Sequence, residues 1–263
     1  MHLQNKVLVV TGASMGIGEA IAKLFADHGA AVVLSSRDQE RAQAARERVG
    51  HQERTLAVAC DVCDPAQIAG LLRTAQDRFG RVDIWVNNAG FGLLDSIERM
   101  QRADYRRMFE TNLFGVIEAM QQVIPVMKQQ GSGAIVNISS VAGYIAVPYM
   151  GAYAATKAAL NRISRAARLE LAGTGVSVIN ICPGYVQTDF GKNAVRGSDR
   201  MRVSERVRHG ITAERVAQTV LRAYDRNLAE SIVPGAYRFV IALAILAPFV
   251  IDFGLKMMMT KDE

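Results

Sequence analysis

A tyrosine and a lysine in the second half of the chain are the residues best suited to chemistry. Tyr153 and Lys157 lie four positions apart in a stretch, 151–171, whose pattern predicts a helix, so their side chains share one helix face. A phenol has a pKa near 10, and a neighbouring cation favours its ionised form and lowers that pKa. We therefore expect Tyr153 to transfer protons, with its pKa lowered by Lys157 towards the working pH.

A glycine-rich turn near the start of the chain is suited to binding a phosphate. It lies between a predicted strand, 6–11, and a predicted helix, 18–26. Glycine has no Cβ, so the backbone can approach a pyrophosphate closely, and the first N–H groups of a helix are open to it. The candidate residues are Gly12, Ser14, Gly16, Ile17 and Gly18. An ordinary tight turn is the alternative, because G-x-x-x-G-x-G is not the commoner G-x-G-x-x-G.

The elements that must position these residues alternate between strand and helix. Short apolar runs are separated by helical patterns, which predicts parallel strands with right-handed crossovers. The predicted strands are 6–11, 31–35, 55–60, 83–87, 134–139, 176–182 and 232–233. The predicted helices are 18–26, 39–49, 65–79, 102–129, 151–171 and 212–227, with a late break at Pro125. The fold class is therefore α/β, a single-domain Rossmann-type doubly wound parallel sheet of about seven strands.

The composition excludes several other classes of protein. Half of the 263 residues are hydrophobic and 21% are charged, which excludes a disordered chain, a collagen-like chain and a coiled coil. Three cysteines cannot form a disulfide framework. The net charge of +6 permits an anionic partner, but the basic residues have no stacking aromatics among them, so no nucleic acid is expected. The apolar run after residue 6 is too short for a signal peptide, so we expect a cytoplasmic protein.

Taken together, the motifs resemble those of the short-chain dehydrogenase/reductase family over residues 6–233. The glycine-rich turn, the Asn88-Ala89-Gly90 run after a strand, and the Tyr153/Lys157 pair occur in that family's order and spacing. The resemblance implies an NAD(P)-dependent oxidoreductase that interconverts a carbonyl and an alcohol by hydride transfer.

The resemblance also implies a role for each of four catalytic residues. Tyr153 would be the acid or base, and Lys157 would tune its pKa and hold the nicotinamide ribose. Ser140, with Ser139 as the neighbouring alternative, would polarise the substrate oxygen. Asn112 would hold a water molecule linked to Lys157 and complete a proton relay. No metal site is expected.

Further cofactor contacts follow from the same resemblance. Asp61 and Val62 would contact the adenine, and the turn after the sixth strand would receive the nicotinamide. The full set outside the glycine-rich turn is Arg37, Asp61, Val62, Asn88, Ala89, Gly90, Tyr153, Lys157, Pro183, Gly184, Val186 and Thr188. Cys60 and Cys63 flank the adenine pair as C-x-x-C, and we interpret them as packing residues, not zinc ligands.

The end of the second strand indicates which cofactor is preferred. An enzyme specific for NAD carries an acidic residue there, whereas this chain has Ser36 followed by Arg37. A guanidinium can pair with the 2′-phosphate of NADP, so NADP, with NADPH preferred, is expected and NAD is the alternative. Asp38 complicates the choice unless its side chain points elsewhere.

The substrate region is less informative. Loop residues expected near the pocket are mostly apolar: Phe91, Leu93, Leu94, Tyr144, Ile145, Val147, Tyr149 and Met150. They suggest a hydrophobic aldehyde or ketone of lipid, retinoid or steroid type, although any buried wall is apolar. Arginines in 190–210 (Arg196, Arg200, Arg202, Arg206 and Arg208) are interpreted as solvated charges, with an anionic substrate as the alternative. A nucleotide-bound scaffold or sensor with little turnover is the alternative function.

The C-terminal end differs from the rest of the chain. We expect a Rossmann-type NADP-binding catalytic domain over 1–235 and an apolar tail over 236–263 that is not an independent domain. Residues 239–251 are all apolar, so as a helix they should not remain in water. The tail is expected to pack on the pocket, in an oligomer interface or at a membrane surface. The family resemblance implies a homodimer or homotetramer paired through the helices at 102–129 and 151–171.

Overall fold

Seven parallel strands form a single sheet in the computed structural model, which describes residues 3–197 and 210–259. In chain order the strands are Val7–Val10 (β1), Ala31–Ser36 (β2), Thr55–Ala59 (β3), Ile84–Asn87 (β4), Leu93–Leu94 (β5), Gly133–Ile138 (β6), Val176–Pro183 (β7), Val195–Arg196 (β8) and Glu230–Val233 (β9). Two of these strands, β5 and β8, lie outside the seven-stranded sheet. The large sheet has the order β3-β2-β1-β4-β6-β7-β9. The prediction of a doubly wound parallel sheet of about seven strands is confirmed.

Helices cover both faces of the sheet. They are Gly16–Asp27 (α1), Gln39–Val49 (α2), Pro65–Phe79 (α3), Arg102–Phe109 (α4), Gly115–Gln130 (α5), Gly151–Glu170 (α6), Ala213–Asp225 (α7), Tyr237–Leu246 (α8) and Pro248–Met259 (α9). Leu8 and Val10 of β1 pack with α1, α2 and α7, whereas Val9 packs with α3, α5 and α6. Adjacent residues of a strand point to opposite faces, so β1 contributes to both cores and its four residues are all buried.

The predicted helix at 102–129 differs from expectation in two ways. A π-helical turn, Glu110–Phe114, separates α4 from α5, and nothing in the apolar periodicity indicated it. Pro125 lies inside α5 without ending it. Proline leaves the carbonyl four residues earlier without its helical donor, but Pro125 and Gln121 are both exposed, so water can serve that carbonyl.

A small second sheet lies beside the large one. Leu93 pairs with Val195 and Leu94 with Arg196, so β5 and β8 run parallel. These two-residue strands were absent from our prediction, because two residues are too few to show a period. The pairing fixes the chain after β7 against the loop after β4.

The apolar tail forms two helices where one run was predicted. Ala247, with φ −142° and ψ 64°, ends α8, and Pro248 begins α9. The residue before a proline is pushed out of the helical region, which explains the break. Among residues 3–197 and 210–259 no single helix could span a membrane, although α8 and α9 together, bent by 111°, have the length and composition of a broken span.

Candidate active site

The predicted site residues gather at the carboxyl edge of the sheet. The glycine-rich turn follows β1, Asn88 follows β4, Ser140 follows β6 and Gly184 follows β7. Parallel strands end at the same edge, so residues distant in sequence meet there. Tyr153 and Lys157 face this edge from the first half of α6, where both side chains are buried.

The glycine-rich turn is held by the residues after β4. The Asn88 side chain donates from Nδ2 to the carbonyls of Thr11 (3.0 Å) and Gly12 (2.9 Å). The backbone N–H groups of Asn88 and Ala89 donate to Thr11 Oγ1 at 3.1 and 3.2 Å. Gly12 has φ +64°, and a Cβ on it would lie 2.7 Å from Ala89 Cα. Only glycine fits this contact, so the two loops form one rigid unit.

The start of α1 is suited to an anion. Its cap residue, Met15, makes no side-chain hydrogen bond to the first turn, whereas Asp38 caps α2 in that way. Glu19 in the first turn of α1 would repel a phosphate, but Arg48 pairs with it at 2.8 Å. Arg48 also donates to the Ser14 carbonyl at 2.9 Å. Sequence reasoning missed Arg48, because nothing in the spacing links it to the glycine-rich turn.

The end of β2 presents one cation. Ser36 is buried, and Arg37 is exposed with no hydrogen bond or ion pair to any of the residues that the structure describes. Asp38 accepts hydrogen bonds from the N–H groups of Glu40 (2.9 Å) and Arg41 (3.1 Å). Its carboxylate therefore caps α2, which leaves the guanidinium of Arg37 as the charge available to a ligand.

The residues after β3 are placed against the π-helical turn. Asp61 accepts a hydrogen bond from the Cys63 N–H at 3.0 Å, and the Val62 side chain is buried. The Cys63 thiol is exposed and lies 3.3 Å from Thr111 Oγ1, so of this pair only Cys60 is a buried packing residue. In the described part of the chain, no three His, Cys, Asp or Glu side chains are arranged to hold a metal ion.

The structure distinguishes Ser140 from Ser139. Ser139 is buried and donates to Asn161 Oδ1 at 2.5 Å, so its hydroxyl is used within the core. Ser140 is half-buried and lies beside Tyr153; its hydroxyl donates to the Pro183 carbonyl at 3.4 Å and accepts from the Ala142 N–H at 3.1 Å. Of the two hydroxyls, Ser140 is therefore the one beside the phenol.

The expected lowering of the Tyr153 pKa is wrong for this structure. Burial raises the pKa of Tyr153 to about 12, and the neighbouring Ser140 hydroxyl offsets this only in part. Lys157 does not lower that pKa, because its Nζ lies 5.7 Å from the centre of the Tyr153 ring and donates to the Ile138 carbonyl at 2.8 Å. Burial also lowers the pKa of Lys157 to about 8. Sequence spacing places the two residues on one face, but it cannot show where the ammonium points.

Asn112 links the loop after β4 to α6, the helix that carries Tyr153. It lies fully buried in the π-helical turn, accepts from the Phe91 N–H at 3.0 Å and donates to the Phe91 carbonyl at 2.9 Å. Its Nδ2 also lies 3.5 Å from Thr156 Oγ1. Nδ2 is thus engaged with Phe91 and Thr156 and Oδ1 with the Phe91 N–H, so a relay water would bind at the second acceptor position of Oδ1.

The turn after β7 closes the site. Thr188 lies opposite Gly16, whose added Cβ would be 3.3 Å from Thr188 Cγ2. Phe190 places its ring 5.7 Å from that of Tyr153. Tyr237, the first residue of α8, packs on Gly184, where an added Cβ would lie 2.5 Å from its ring.

The loops expected to line the pocket are only partly buried. Leu93 and Leu94 are buried and Phe91 is half-buried, but Tyr149 is 40% exposed. Arg196 donates to the Gly191 carbonyl at 3.2 Å. The other four arginines of the stretch 190–210, Arg200, Arg202, Arg206 and Arg208, lie outside the described residues.

Comparison with known proteins decides the family. A family model described as short chain dehydrogenase matches residues 6–199. The chain belongs to the short-chain dehydrogenase family. It is 31% identical over 88% of its length to an uncharacterized oxidoreductase of Staphylococcus saprophyticus, of which the match covers 94%. It is 40% identical to the oxidoreductase UcpA of Escherichia coli over 75% of either chain.

Solved short-chain dehydrogenases share the fold and bind nicotinamide dinucleotides. A Burkholderia phymatum enzyme in complex with NAD has a TM-score of 0.84 and 27% identity, covering 92% of this chain and 94% of its own. The 3-ketoacyl-(acyl-carrier-protein) reductase of Brucella melitensis, complexed with NADH, has a TM-score of 0.78 and 28% identity, covering 88% and 97%. The chain is thus an oxidoreductase that acts on CH–OH and C=O groups with a nicotinamide cofactor. Three features fit such a cofactor: the first N–H groups of α1, which no side chain caps, the tight glycine-rich turn, and Arg37.

Proposed function

We propose that the chain is an NADP(H)-dependent reductase of hydrophobic aldehydes or ketones, of lipid, retinoid or steroid type. The observation that carries the proposal is the buried Tyr153 phenol, which lies beside the Ser140 hydroxyl and is covered by the Phe190 ring. A phenol whose pKa is raised by burial stays protonated at neutral pH, so Tyr153 has a proton to give to a carbonyl oxygen. A scaffold or sensor would need neither this donor nor its serine partner.

Each polar residue of the site has a part in this reaction. The bound cofactor supplies a hydride to the carbonyl carbon. Ser140 orients the substrate oxygen and Tyr153 gives its proton to it. Lys157 holds the nicotinamide ribose through the ammonium protons that Ile138 does not take. Asn112 fixes the position of the π-helical turn beside them, and we propose that a water held there returns the proton to Tyr153.

Cofactor binding is assigned to the loops at the carboxyl edge. The backbone of Gly12, Ser14, Gly16, Ile17 and Gly18 receives the pyrophosphate, and Asp61 with Val62 receives the adenine. Asn88, Ala89 and Gly90 support the first loop, and Pro183, Gly184, Val186 and Thr188 receive the nicotinamide. Arg37 pairs with the 2′-phosphate, which makes NADPH the preferred form and NAD the weaker one.

We assign residues 1–235 to the catalytic domain and 236–263 to the tail, and we propose a cytoplasmic homodimer or homotetramer with peripheral membrane contact through the tail. The start of the tail packs beside the pocket, through Tyr237 on Gly184, whereas Phe239 and Leu246 farther along the same region are 81% and 83% exposed. On α9, Phe249, Phe253 and Met257 are exposed at helical spacing and form one apolar stripe. A stripe of this kind, with basic residues nearby, suits a membrane surface.

A tail variant tests the membrane contact. Replacement of Phe249 and Phe253 by serine should abolish sedimentation with anionic phospholipid vesicles and leave carbonyl reduction unchanged. Replacement of the exposed Ile97, which lies outside the tail, by serine is the control. Equal sedimentation of the tail variant and the unmodified protein would contradict the contact.

NADPH oxidation with carbonyl substrates tests the proposed function. Straight-chain aldehydes of increasing length should show kcat/KM values that rise with chain length, and steroid and retinoid carbonyls are measured alongside. Tyr153→Phe should bind NADPH as well as the unmodified protein does and lose most turnover. If NADPH binds and no carbonyl is reduced, the protein is a nucleotide-bound scaffold or sensor.

A further inference from the structure

A carboxylate on the edge strand of the sheet is hydrogen-bonded to the turn that carries Ser140. The Tyr144 hydroxyl donates to Glu230 Oε2, and Glu230 is the first residue of β9. The Asn180 side chain of β7 donates to the same oxygen at 3.3 Å. The glutamate therefore accepts from two side chains on separate elements.

Ser140 and Tyr144 are the two ends of one short turn. The residues between them, Val141–Gly143, form a 3-10 helix, for which Ser140 is the N-cap and Tyr144 the C-cap. The Gly143 N–H donates to the Ser140 carbonyl at 3.1 Å, and the Tyr144 N–H donates to the Val141 carbonyl at 2.9 Å. A turn this short moves as one body. The Tyr144–Glu230 hydrogen bond, called the tether below, therefore also restrains Ser140.

The same turn rests directly on the catalytic helix. A Cβ on Gly143 would lie 2.8 Å from the backbone carbonyl of Lys157 and 2.5 Å from Asn161 Nδ2. Asn161 Oδ1 accepts from Asn180 at 2.9 Å and from Ser139 at 2.5 Å. The hydrogen bonds thus run from Glu230 through Asn180 and Asn161 back to the residue before Ser140.

The Tyr144 hydroxyl is committed to this tether. Burial and the Glu230 carboxylate both raise the pKa of Tyr144, so it remains a donor at any working pH. A hydrogen bond to a charged acceptor is stronger than one between neutral groups. Cys182, which is fully buried, lies beside the Tyr144 hydroxyl.

We propose that Glu230 and Tyr144 are positioning residues, which hold the Ser140 turn so that its hydroxyl stays beside Tyr153. This inference rests on the proposed carbonyl reduction, for which the Ser140–Tyr153 geometry must be maintained. Glu230 is assigned no contact with the substrate or the cofactor, and the hydroxyl of Tyr144, a residue expected near the pocket, is bonded to Glu230.

Loss of the Tyr144–Glu230 hydrogen bond is expected to lower kcat for carbonyl reduction about tenfold. A tenfold change in rate corresponds to about 1.4 kcal/mol. Tyr144→Phe and Glu230→Gln should each lower kcat for carbonyl reduction by about this factor and change KM for NADPH little. The matched control is Glu214→Gln at the exposed start of α7, which should leave kcat unchanged.

A double-mutant cycle with Ser140→Ala tests the coupling. If Glu230 acts through Ser140, then Glu230→Gln should cost less than about twofold once Ser140 is already alanine. If the two losses multiply in the double variant, or if Glu230→Gln alone matches the unmodified protein, the proposal is overturned.

Backbone hydrogen exchange tests the tether without any turnover. In Glu230→Gln the Ala142 and Gly143 amides should exchange about tenfold faster, whereas the amides of β1 should keep their protection. Unchanged exchange at both amides would refute the tether even in an active enzyme. Faster exchange in a protein that reduces no carbonyl would instead refute the proposed function and leave the tether established.

Discussion

The alkaline side of the pH profile should report the charge on Lys157. Its side chain is 6% exposed, and burial lowers its pKa to about 8. We propose that its ammonium form donates to the cofactor ribose, and that donation weakens when the proton is lost. Because kcat/KM reports groups on the free enzyme, kcat/KM for NADPH should fall as pH rises above 8.

The size of this fall follows from the two pKa values. At pH 9 about a tenth of Lys157 keeps its proton, so kcat/KM for NADPH should be about tenfold below its plateau. Tyr153 contributes nothing in this range, because its pKa is raised to about 12. The fall should therefore follow a single ionisation.

The same ionisation changes stability in the opposite direction. The unfolded chain keeps the ordinary lysine pKa of 10.5, so from pH 8 to 10.5 it binds more protons at Lys157 than the folded chain does. The free energy of unfolding from this group therefore rises with pH. Burial raises the pKa values of Cys60 and Cys182 to about 11 and about 12, and they oppose this only above about pH 9. Loss of activity between pH 8 and 9 is thus distinguishable from unfolding.

The assay measures kcat/KM for NADPH between pH 6 and 10, from initial rates of NADPH oxidation at varied NADPH and saturating aldehyde. Lys157→Arg is the matched variant, because arginine stays charged throughout this range. Its plateau should be lower, since the guanidinium fork differs in shape, but its profile should be flat up to pH 10. A wild-type profile that is flat to pH 10, or an arginine variant that keeps the alkaline fall, would refute the reasoning.

Three further predictions follow from the contacts of the site. Arg37→Ala should raise KM for NADPH about 10- to 100-fold, because it removes a hydrogen bond between charged groups. KM for NADH should stay within about twofold, and steady-state kinetics with both cofactors measure the difference. Gly12→Ala should lower the free energy of unfolding by about 1–3 kcal/mol more than Gly50→Ala in denaturant titrations, because both have positive φ but only Gly12 abuts backbone. Ser140→Ala should lower kcat at least tenfold, whereas Ser139→Ala should mainly lower thermal stability, as the buried bond from Ser139 to Asn161 predicts.

Much of the fold could be predicted because buried parallel strands are continuous apolar runs. Residues 7–10 and 84–87 are buried along their whole length and stand between turn-forming residues, so both strands are visible in the sequence. The π-helical turn at Glu110–Phe114 was not predicted, because it changes the register of one turn without changing the apolar stripe. The predicted break of the helix at Pro125 was wrong. The carbonyl of Gln121, which loses its helical donor, is on the exposed side of α5, and the sequence alone does not show which side is exposed.

Sequence spacing indicates which residues meet at the carboxyl edge of the sheet, but it does not indicate their electrostatics. The spacing of Tyr153 and Lys157 places both side chains at the carboxyl edge of the sheet, as the helix period requires. The direction of a lysine ammonium depends on which carbonyl is near, and here the Ile138 carbonyl takes it. Arg48, which neutralises Glu19 beside the proposed phosphate site, is brought there by the packing of α2 on α1. No spacing rule links those two residues.

The pKa of Tyr153 lies above that of Lys157, which determines how each direction of the reaction depends on pH. Burial disfavours whichever form is charged, so it raises the pKa of Tyr153 to about 12 and lowers that of Lys157 to about 8. A carbonyl reductase begins with the neutral phenol, which is almost the whole population at pH 7. Alcohol oxidation needs the phenolate, which at pH 7 is about one part in 10⁵. Reduction should therefore need no ionisation of Tyr153 at neutral pH, whereas kcat for alcohol oxidation, measured as NADPH formation, should rise about tenfold per pH unit between pH 7 and 9. A kcat for alcohol oxidation that stays constant over this range would show that the Tyr153 phenolate is not the base.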